Sequence, residues 1–185
     1  MAGICGRIGL DSRGFDEPLI ERMVERMAHR GRRVGHLRWR DVRLASLGAQ
    51  KPSIWPLPGN ESPREIFVVL DGQIDNRSEL AADLLQVGLH GGASPAQLVS
   101  AGFRAQGPEF LKRLRGPYAA AVHDPDSGRS WLVRDPVGLK PLYLHRTRSR
   151  VVFASEIRPL LADPSVRLDL DPEQLRSRRH CVPTF

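Results

Sequence analysis

The chain has 185 residues and a formal net charge of +7, because 28 lysine and arginine residues outnumber 21 aspartate and glutamate residues. This length favours one domain with a core large enough to fold without disulfides or structural metals. Apolar residues make up 41% and charged residues 26%, a composition that excludes a disordered or fibrous chain. No apolar run approaches the roughly 20 residues that span a bilayer, and the N terminus lacks a secretory signal pattern, so we expect a cytoplasmic protein. The two cysteines, Cys5 and Cys181, cannot form a disulfide framework or a metal site alone, and we expect no metal.

The first half of the chain is predicted to contain one helix and two strands. Apolar residues at helical spacing predict a helix over about residues 16–29. After an arginine-rich stretch at residues 30–40, alternation of apolar and polar residues predicts a strand over 42–47, and an apolar run predicts another over 66–70. Four prolines between residues 52 and 63 indicate a loop.

The second half is predicted to contain two helices followed by short strands. Asn76 and Glu79 match a capping box, and Ser94 followed by Pro95 is typical of the start of the next helix. Strands separated by turns are predicted over residues 118–123, 130–134, 141–144 and 151–154. Helices grouped between strands and followed by a meander favour an α+β fold over alternating βαβ units.

Six motifs follow one another in an order that carries a family resemblance: MAGICG at residues 1–6, AHRG at 28–31, LDGQIDN at 70–76, RGPYAAAVHD at 115–124, VRDPVGLKPLY at 133–143 and FASEI at 153–157. Together they resemble the N-terminal class II glutamine amidotransferase domain of the asparagine synthetase family. The resemblance spans essentially the whole chain. It implies an Ntn-hydrolase-like fold, a four-layer αββα sandwich of two antiparallel sheets.

The resemblance places Ala2 at the position of the catalytic nucleophile. In active members of the family, a cysteine there becomes the first residue after processing, and its own α-amino group activates the thiol. A methyl side chain cannot attack a glutamine amide. Two interpretations of Cys5 stay open: it becomes an alternative nucleophile after removal of residues 1–4, or it is a small buried hydrophobe on a first strand that would precede the predicted helix.

The remaining catalytic and substrate positions of the family are also changed. Asp71 and Gly72 match the oxyanion hole, where the family has asparagine and glycine. An ionised carboxylate there would repel an oxyanion at about 4 Å by about 4 kcal/mol at a dielectric near 20. The arginine that binds the substrate carboxylate aligns with Gln50, and Lys51 is a geometrically poorer substitute. Further positions that contact the substrate are Gln73 and Pro95 in this chain.

Other residues of the matching motifs are expected to be structural. We expect Arg134 with Asp135, Asp124, and the pair Ser155 and Glu156 to form ion pairs and turns that hold the sheets. They are not expected to bind a ligand.

Arginines at positions 32, 33, 38 and 40 admit two interpretations. Arg32, Arg33, Arg38 and Arg40 form either a surface for an acidic partner or a solvated face. Since the family has Pro-Asp where this chain has Arg32 and Arg33, their charge is expected beside the mouth of the former pocket. We expect neither nucleic acid nor a membrane as a partner.

The resemblance also implies a partner domain. We expect residues 1–163 to form the amidotransferase-like domain and residues 164–185 to connect it to an ATP-dependent synthetase domain, whose SGGxDS loop is absent here. ATP and magnesium are expected only in that domain, which would act in cis or in trans, and no cofactor is expected here. β-Lactam synthetases and lasso peptide cyclases resemble asparagine synthetases but use an internal amine, so they need no ammonia.

The hypothesis is therefore a catalytically inactive glutaminase-like domain of such an amide-forming enzyme. It would act as a scaffold or as a docking domain for a precursor peptide or a partner protein. The alternatives are an active glutaminase that uses Cys5 to supply ammonia, and a free-standing interaction module that uses the arginine surface.

Overall fold

A computed structural model describes residues 2–10, 18–49, 51–85 and 92–167 of the chain. Within these residues the strands are β1 (Gly3–Gly9), β2 (Arg33–Trp39), β3 (Val42–Gly48), β4 (Ile54–Trp55), β5 (Phe67–Gly72), β6 (Tyr118–Asp124), β7 (Arg129–Arg134), β8 (Tyr143–Arg146) and β9 (Arg150–Ala154). The α-helices are α1 (Pro18–Glu25), α2 (Arg77–Asp83), α3 (Pro95–Gln106) and α4 (Ile157–Leu160). Two 3₁₀ segments, Ala28–Arg30 and Gly107–Arg113, complete the described elements.

The strands form two antiparallel sheets. The five-stranded sheet has the order β2-β3-β1-β9-β8, and the four-stranded sheet has the order β4-β5-β6-β7. β1 is the central strand of its sheet, where Cys5 lies opposite Ala45 of β3 on one side and Ala154 of β9 on the other. Strands from the two ends of the sequence therefore meet at the centre of one sheet.

The two sheets pack face to face, and helices cover both outer faces. Because successive side chains of a strand point to opposite faces, each sheet contributes to two apolar layers. The layer between the sheets includes Ile4, Leu44, Phe67 and Phe153. A second layer lies between the five-stranded sheet and α1 and α4, and a third between the four-stranded sheet and α2 and α3. The predicted four-layer αββα sandwich of the α+β class is confirmed.

Several predicted elements agree with the structure, and Ser94 caps α3 by accepting a hydrogen bond from the Gln97 amide at 3.2 Å. The capping box predicted at Asn76 is wrong. The Asn76 side chain donates to the Arg113 carbonyl at 3.0 Å and accepts from the Arg115 amide at 3.1 Å. This side chain therefore joins two distant segments instead of capping α2.

The sequence prediction also missed two features of the first half. The stretch predicted only as arginine-rich contains β2, an edge strand. The proline-rich loop contains β4, a strand of two residues. No helix among the described residues is long and apolar enough to cross a membrane.

Candidate functional site

One open cleft lies where the two sheets meet at the N-terminal end of β1. Its volume is about 670 Å³, within the usual range of ligand sites. Its walls come from both sheets and from the segments that follow their strands. The described residues that line it are Ala2, Gly48, Ala49, Lys51, Gly72, Gln73, Pro117 and Lys140.

Ala2 lies in this cleft directly before β1, at the position where the sequence predicted the nucleophile slot. Its backbone carbonyl accepts a hydrogen bond from Arg30 Nη1 at 2.8 Å, which fixes the chain at the start of the strand. Among the described residues that line the cleft there is no cysteine, serine or threonine. At position 2 the cleft therefore presents a methyl group, which cannot act as a nucleophile.

Asp71 lies at the end of β5 with its side chain turned toward the five-stranded sheet, and it is completely buried. Its Oδ2 atom accepts hydrogen bonds from Ser155 Oγ at 3.0 Å and from Arg30 Nη1 at 3.3 Å. Its Oδ1 atom accepts from Lys140 Nζ at 3.2 Å. Ser155 Oγ accepts in turn from the Ile4 amide at 3.0 Å. Asp71 therefore connects both sheets beside the cleft.

Glu156 extends this arrangement toward the surface. Its Oε1 atom accepts from Arg30 Nε and contacts His29 Nε2 at 2.8 Å. Burial raises the pKa of Glu156, but hydrogen bonds and charge from Arg30 and His29 outweigh burial and leave the pKa below its usual value. We call Arg30, Asp71, Lys140, Ser155 and Glu156 the ion cluster. Its two carboxylates are balanced by one guanidinium and one ammonium group.

The ion cluster corrects the expectation that Asp71 would present a repulsive charge to the cleft. Asp71 does not line the cleft, because its carboxylate is directed at Arg30, Lys140 and Ser155. Such pairing compensates the desolvation of a buried carboxylate. The neighbouring Gly72 does line the cleft.

Lys140 is the site residue whose role sequence reasoning missed. The buried Asp135 carboxylate accepts the backbone amides of Leu139 at 2.8 Å and Lys140 at 3.0 Å. Burial raises the pKa of Asp135, but these backbone hydrogen bonds outweigh burial and lower it. The folded loop places Lys140 at the cleft wall beside Asp71. The spacing of Asp135 and Lys140 in the RDPVGLK motif was the available signal.

The other predicted substrate positions are not all brought together. Gln73 lines the cleft, and its Nε2 atom donates to Asp75 Oδ1 at 2.9 Å. Lys51 also lines the cleft and is exposed. Pro95 begins α3 and does not line the cleft. Gln50 lies outside the described residues.

Cys5 lies on the opposite face of the five-stranded sheet from the cleft. Its side chain is fully buried in the apolar layer beneath α1, with Leu19 and Met23. Burial, with a smaller contribution from the charge of Glu21, raises the pKa of the thiol to about 12. Because only a thiolate is an effective nucleophile, this environment keeps Cys5 unreactive near neutral pH.

Most of the residues that were expected to be structural form a turn or an ionic contact, as predicted. Asp124 holds the turn after β6, where it accepts from the Asp126 amide at 3.0 Å and from Ser127 Oγ at 2.6 Å. Ser155 belongs to the buried part of the ion cluster. Arg134 is exposed, and within the part of the chain that the structure describes it makes no ion pair with Asp135.

The four arginines proposed as one surface are divided by the structure. Arg33 lies at the start of β2 opposite Gly48, and Arg32 precedes it, so both are exposed beside the cleft. Arg38 and Arg40 lie at the other end of β2, about 20 Å along the strand. Arg38 pairs with Glu21 at 3.4 Å, and Arg40 lies over the Trp39 ring at 5.9 Å. The four arginines therefore do not form one continuous surface, and Arg33 lies at the end of β2 that pairs with Gly48 of the cleft wall.

A metal site is not formed by the side chains that the structure describes. Among residues 2–10, 18–49, 51–85 and 92–167, no three histidine, cysteine, aspartate or glutamate side chains are grouped closely enough to hold a metal ion.

Sequence comparison relates the chain to one domain family. A family model described as "Glutamine amidotransferase domain" matches residues 1–182. The chain is 27% identical over 176 residues to asparagine synthetase (glutamine-hydrolyzing) 2 of Bacillus subtilis, a match that covers 89% of the chain and 23% of that protein. It is 26% identical over 186 residues to asparagine synthetase (glutamine-hydrolyzing) 1 of the same organism, covering 94% and 29%. The chain thus spans about a quarter of the length of these relatives.

Structural comparison supports the same fold. Glutamine phosphoribosylpyrophosphate (PRPP) amidotransferase from Bacillus subtilis, solved in complex with ADP and GMP, superimposes with a TM-score of 0.66 at 16% identity. The superposition covers 86% of this chain and 43% of that one. The αββα sandwich described above is therefore the amidotransferase fold.

Proposed function

This chain belongs to the family of glutamine amidotransferase domains, and from that premise we propose that it has lost glutaminase activity and serves an amide-forming synthetase as a docking domain. In this proposal the domain supplies no ammonia. It keeps the two-sheet framework and the cleft of the family, and it uses them to bind a synthetase domain, a peptide substrate or a partner protein.

The observation that carries the proposal is the methyl side chain of Ala2 in the cleft. Hydrolysis of glutamine in this fold begins with attack by a nucleophile at that position, and the described lining residues offer no thiol or hydroxyl. Cys5, the alternative nucleophile, is fully buried with a pKa raised to about 12. Even if residues 1–4 were removed, the Cys5 side chain would lie on the face of the sheet that packs beneath α1.

The changed surroundings of Ala2 support a loss that reaches beyond one residue. In the family, the asparagine that Asp71 replaces provides an amide donor for an oxyanion, whereas the Asp71 carboxylate only accepts and is already bonded to Arg30, Lys140 and Ser155. A single substitution at Ala2 therefore would not restore the family's chemistry.

We infer that the synthetase is of the type in which an internal amine attacks an adenylated carboxylate, as in lasso peptide cyclases or β-lactam synthetases. Such an enzyme has no use for ammonia, so a glutaminase site would not be maintained. ATP and magnesium would bind to the synthetase domain, which this chain would contact in cis or in trans. The asparagine synthetase names of two relatives, of which this chain spans about a quarter, support an association with an amide-forming synthetase.

The experiment that tests the loss of activity is release of glutamate from L-glutamine by the purified protein. We expect no release above that of buffer, and none from the variant Cys5→Ser. We also expect that Ala2→Cys alone does not restore turnover, because position 71 still lacks a donor. Glutamate release that is abolished by Cys5→Ser would overturn the proposal in favour of an active glutaminase, and substantial turnover by Ala2→Cys would show that the cleft has kept its chemistry.

A further inference from the structure

The four-stranded sheet has an open edge at β7. β7 pairs with β6 on one side, and no described strand lies on its other side. The Asp135 amide donates to the Tyr118 carbonyl at 2.9 Å, which continues the register of the two strands. Because bonding alternates along an antiparallel pair, the backbone groups of Ser130, Leu132 and Arg134 point away from β6. No group within the residues that the structure describes bonds to these edge amides and carbonyls.

A groove of about 670 Å³ runs along this edge, between β7 and the 3₁₀ segment Gly107–Arg113. Trp131 and Val133 line it from β7, on the face of the sheet that packs against α3. The Trp131 ring is held by an edge-on contact with Phe103, with the ring centroids 4.7 Å apart. Leu111 lines the groove from the 3₁₀ segment and is largely buried. The groove therefore offers a formed apolar site beside a row of unpaired backbone groups.

The charge along the β7 edge is positive. β7 carries two arginines and no acidic residue. Arg134 is exposed and has no carboxylate partner within the described ranges, whereas Arg129 lies opposite Asp124, which offsets part of its charge. Inside the groove, Lys112 and Glu109 cancel by pairing at 2.7 Å. Pairing with β7 of a second copy would add two further arginines and no acid, so the charge favours an acidic partner.

We propose that the β7 edge binds an extended peptide segment of a partner protein as an added antiparallel strand, with an acidic residue of that segment at Arg134. The main-chain bonds of an added strand give affinity, and its alternate side chains give specificity. The six residues of β7 set its length at about 20 Å. Partner residues opposite Val133 and Trp131 point into the groove and are apolar. The pattern of the segment, read from its N-terminal end, is therefore acidic, apolar, any residue, apolar.

This inference rests on the proposed docking role, and it names the surface and the chemistry of the partner. Peptide binding is measured without glutamine, so the two proposals fail separately. Glutamate release by a protein that binds the peptide would overturn only the loss of activity. A protein that neither releases glutamate nor binds the peptide would overturn only the assignment to β7.

The experiment titrates the ¹⁵N-labelled protein with the acetylated, amidated peptide Glu-Leu-Thr-Val-Thr-Ser. We expect the amide signals of Ser130, Leu132 and Arg134 to move downfield and to exchange more slowly with solvent. The amides of Trp131 and Val133 are directed at β6 and should change less. N-methylation of the third and fifth peptide residues, whose amides face β7, should weaken binding at least tenfold. N-methylation of the second and fourth residues is the matched control and should weaken it less than about threefold.

Variants of the protein test the same edge from the other side. Leu132→Pro removes an outward amide and no bond of the β6–β7 ladder, and it should weaken binding about tenfold relative to Leu132→Ala, which loses the same side chain but keeps the amide. Arg134→Gln should weaken binding about threefold, as for an exposed ion pair. Arg64→Gln, at an exposed position on the loop before β5, should leave it unchanged.

The N-methylated peptides keep the proposal testable even where Leu132→Pro fails to fold. The proposal is overturned if both pairs of N-methyl groups weaken binding equally, or if a peptide with lysine in place of glutamate binds as tightly. It is also overturned if sedimentation shows a dimer that Leu132→Pro dissociates and the peptide does not, because a second copy would then occupy the edge.

Discussion

Replacing Asp71 with asparagine tests whether the ion cluster holds the two sheets together beside the cleft. The change keeps the shape of the side chain and removes its charge. Asparagine has one acceptor oxygen, whereas the carboxylate uses both oxygens for Arg30, Lys140 and Ser155. An NH₂ group therefore replaces one of the two oxygens. It faces either Lys140, at the Oδ1 position, or Arg30 and Ser155, at the Oδ2 position.

The magnitude follows from the burial of the partners. Breaking a buried ion pair by removing one partner costs about 3 to 5 kcal/mol. The Asp71 side chain is 0% exposed, but Arg30 is 15% and Lys140 is 26% exposed, so water partly solvates the cations left behind. We therefore expect a loss of about 3 kcal/mol in the free energy of unfolding, which lowers the melting temperature by about 6 to 12 °C.

The assay is urea unfolding followed by the fluorescence of the three tryptophans. Asp126→Asn is the control, because Asp126 is exposed in the turn after β6, and we expect it to change stability by less than about 0.5 kcal/mol. A double-mutant cycle with Lys140→Met should show a coupling of at least about 1 kcal/mol, because the second change removes the cation left unpaired. If Asp71→Asn is as stable as the unmodified protein, the reasoning on the ion cluster is refuted.

Three further predictions concern the backbone, the thiol and acid stability. Gly72→Ala should cost at least about 2 kcal/mol, because φ is +114° and the new Cβ would collide with a backbone carbonyl. Gly59→Ala, at a residue with φ +90° in open space, should lower the free energy of unfolding by only about 1 kcal/mol. If the two glycine variants lose equal stability in urea unfolding, the predicted collision at position 72 is contradicted. In a variant without the other cysteine, Cys5 should not react with Ellman's reagent at pH 8 until the protein unfolds, because its pKa is about 12; rapid reaction of the folded protein would refute its burial. Burial raises the pKa of Asp163, but hydrogen bonds from Arg150 outweigh burial and lower it from 3.8 to about 2. The stability that ionised Asp163 contributes is complete above pH 4 and is lost as the pH falls toward 2. The urea midpoint of Asp163→Asn should therefore fall less over this pH range than that of the unmodified protein. An equal fall in both proteins would show that Asp163 is not responsible.

Local sequence patterns predicted those elements of the fold that depend on interactions between residues close together in the sequence. The cap at Ser94 lies three residues from the amide it accepts, and the apolar run of β5 reflects burial on both faces. The edge strand β2 was missed because its exposed positions carry Arg33 and Arg38, and charge on an edge strand hides the alternation that marks a strand. Asn76 was misassigned because its partners are 37 and 39 residues away.

The sequence predicted which family positions are changed at the site, but it did not predict the geometry of the site. The motifs assigned Ala2, Gly72 and Gln73 to one family site, and these three residues line the same cleft in the structure, but the catalytic and substrate roles assigned to them stay predictions. The partners of Asp71 are 41, 69 and 84 residues distant in sequence, so no local pattern indicated that its charge would be neutralised. Long-range pairing thus decided the electrostatics of the site.

The position of β1 at the centre of its sheet has a consequence for synthesis on the ribosome. β1 can pair with β3 as soon as Gly48 has emerged, but its other edge waits for β9, which begins at Arg150. At about 5 to 20 residues per second, that edge stays open for roughly 5 to 20 s. An apolar strand with unpaired amides is a template for association with other chains. A ribosome that stalls between β3 and β9 therefore leaves a nascent chain exposed to aggregation at this edge.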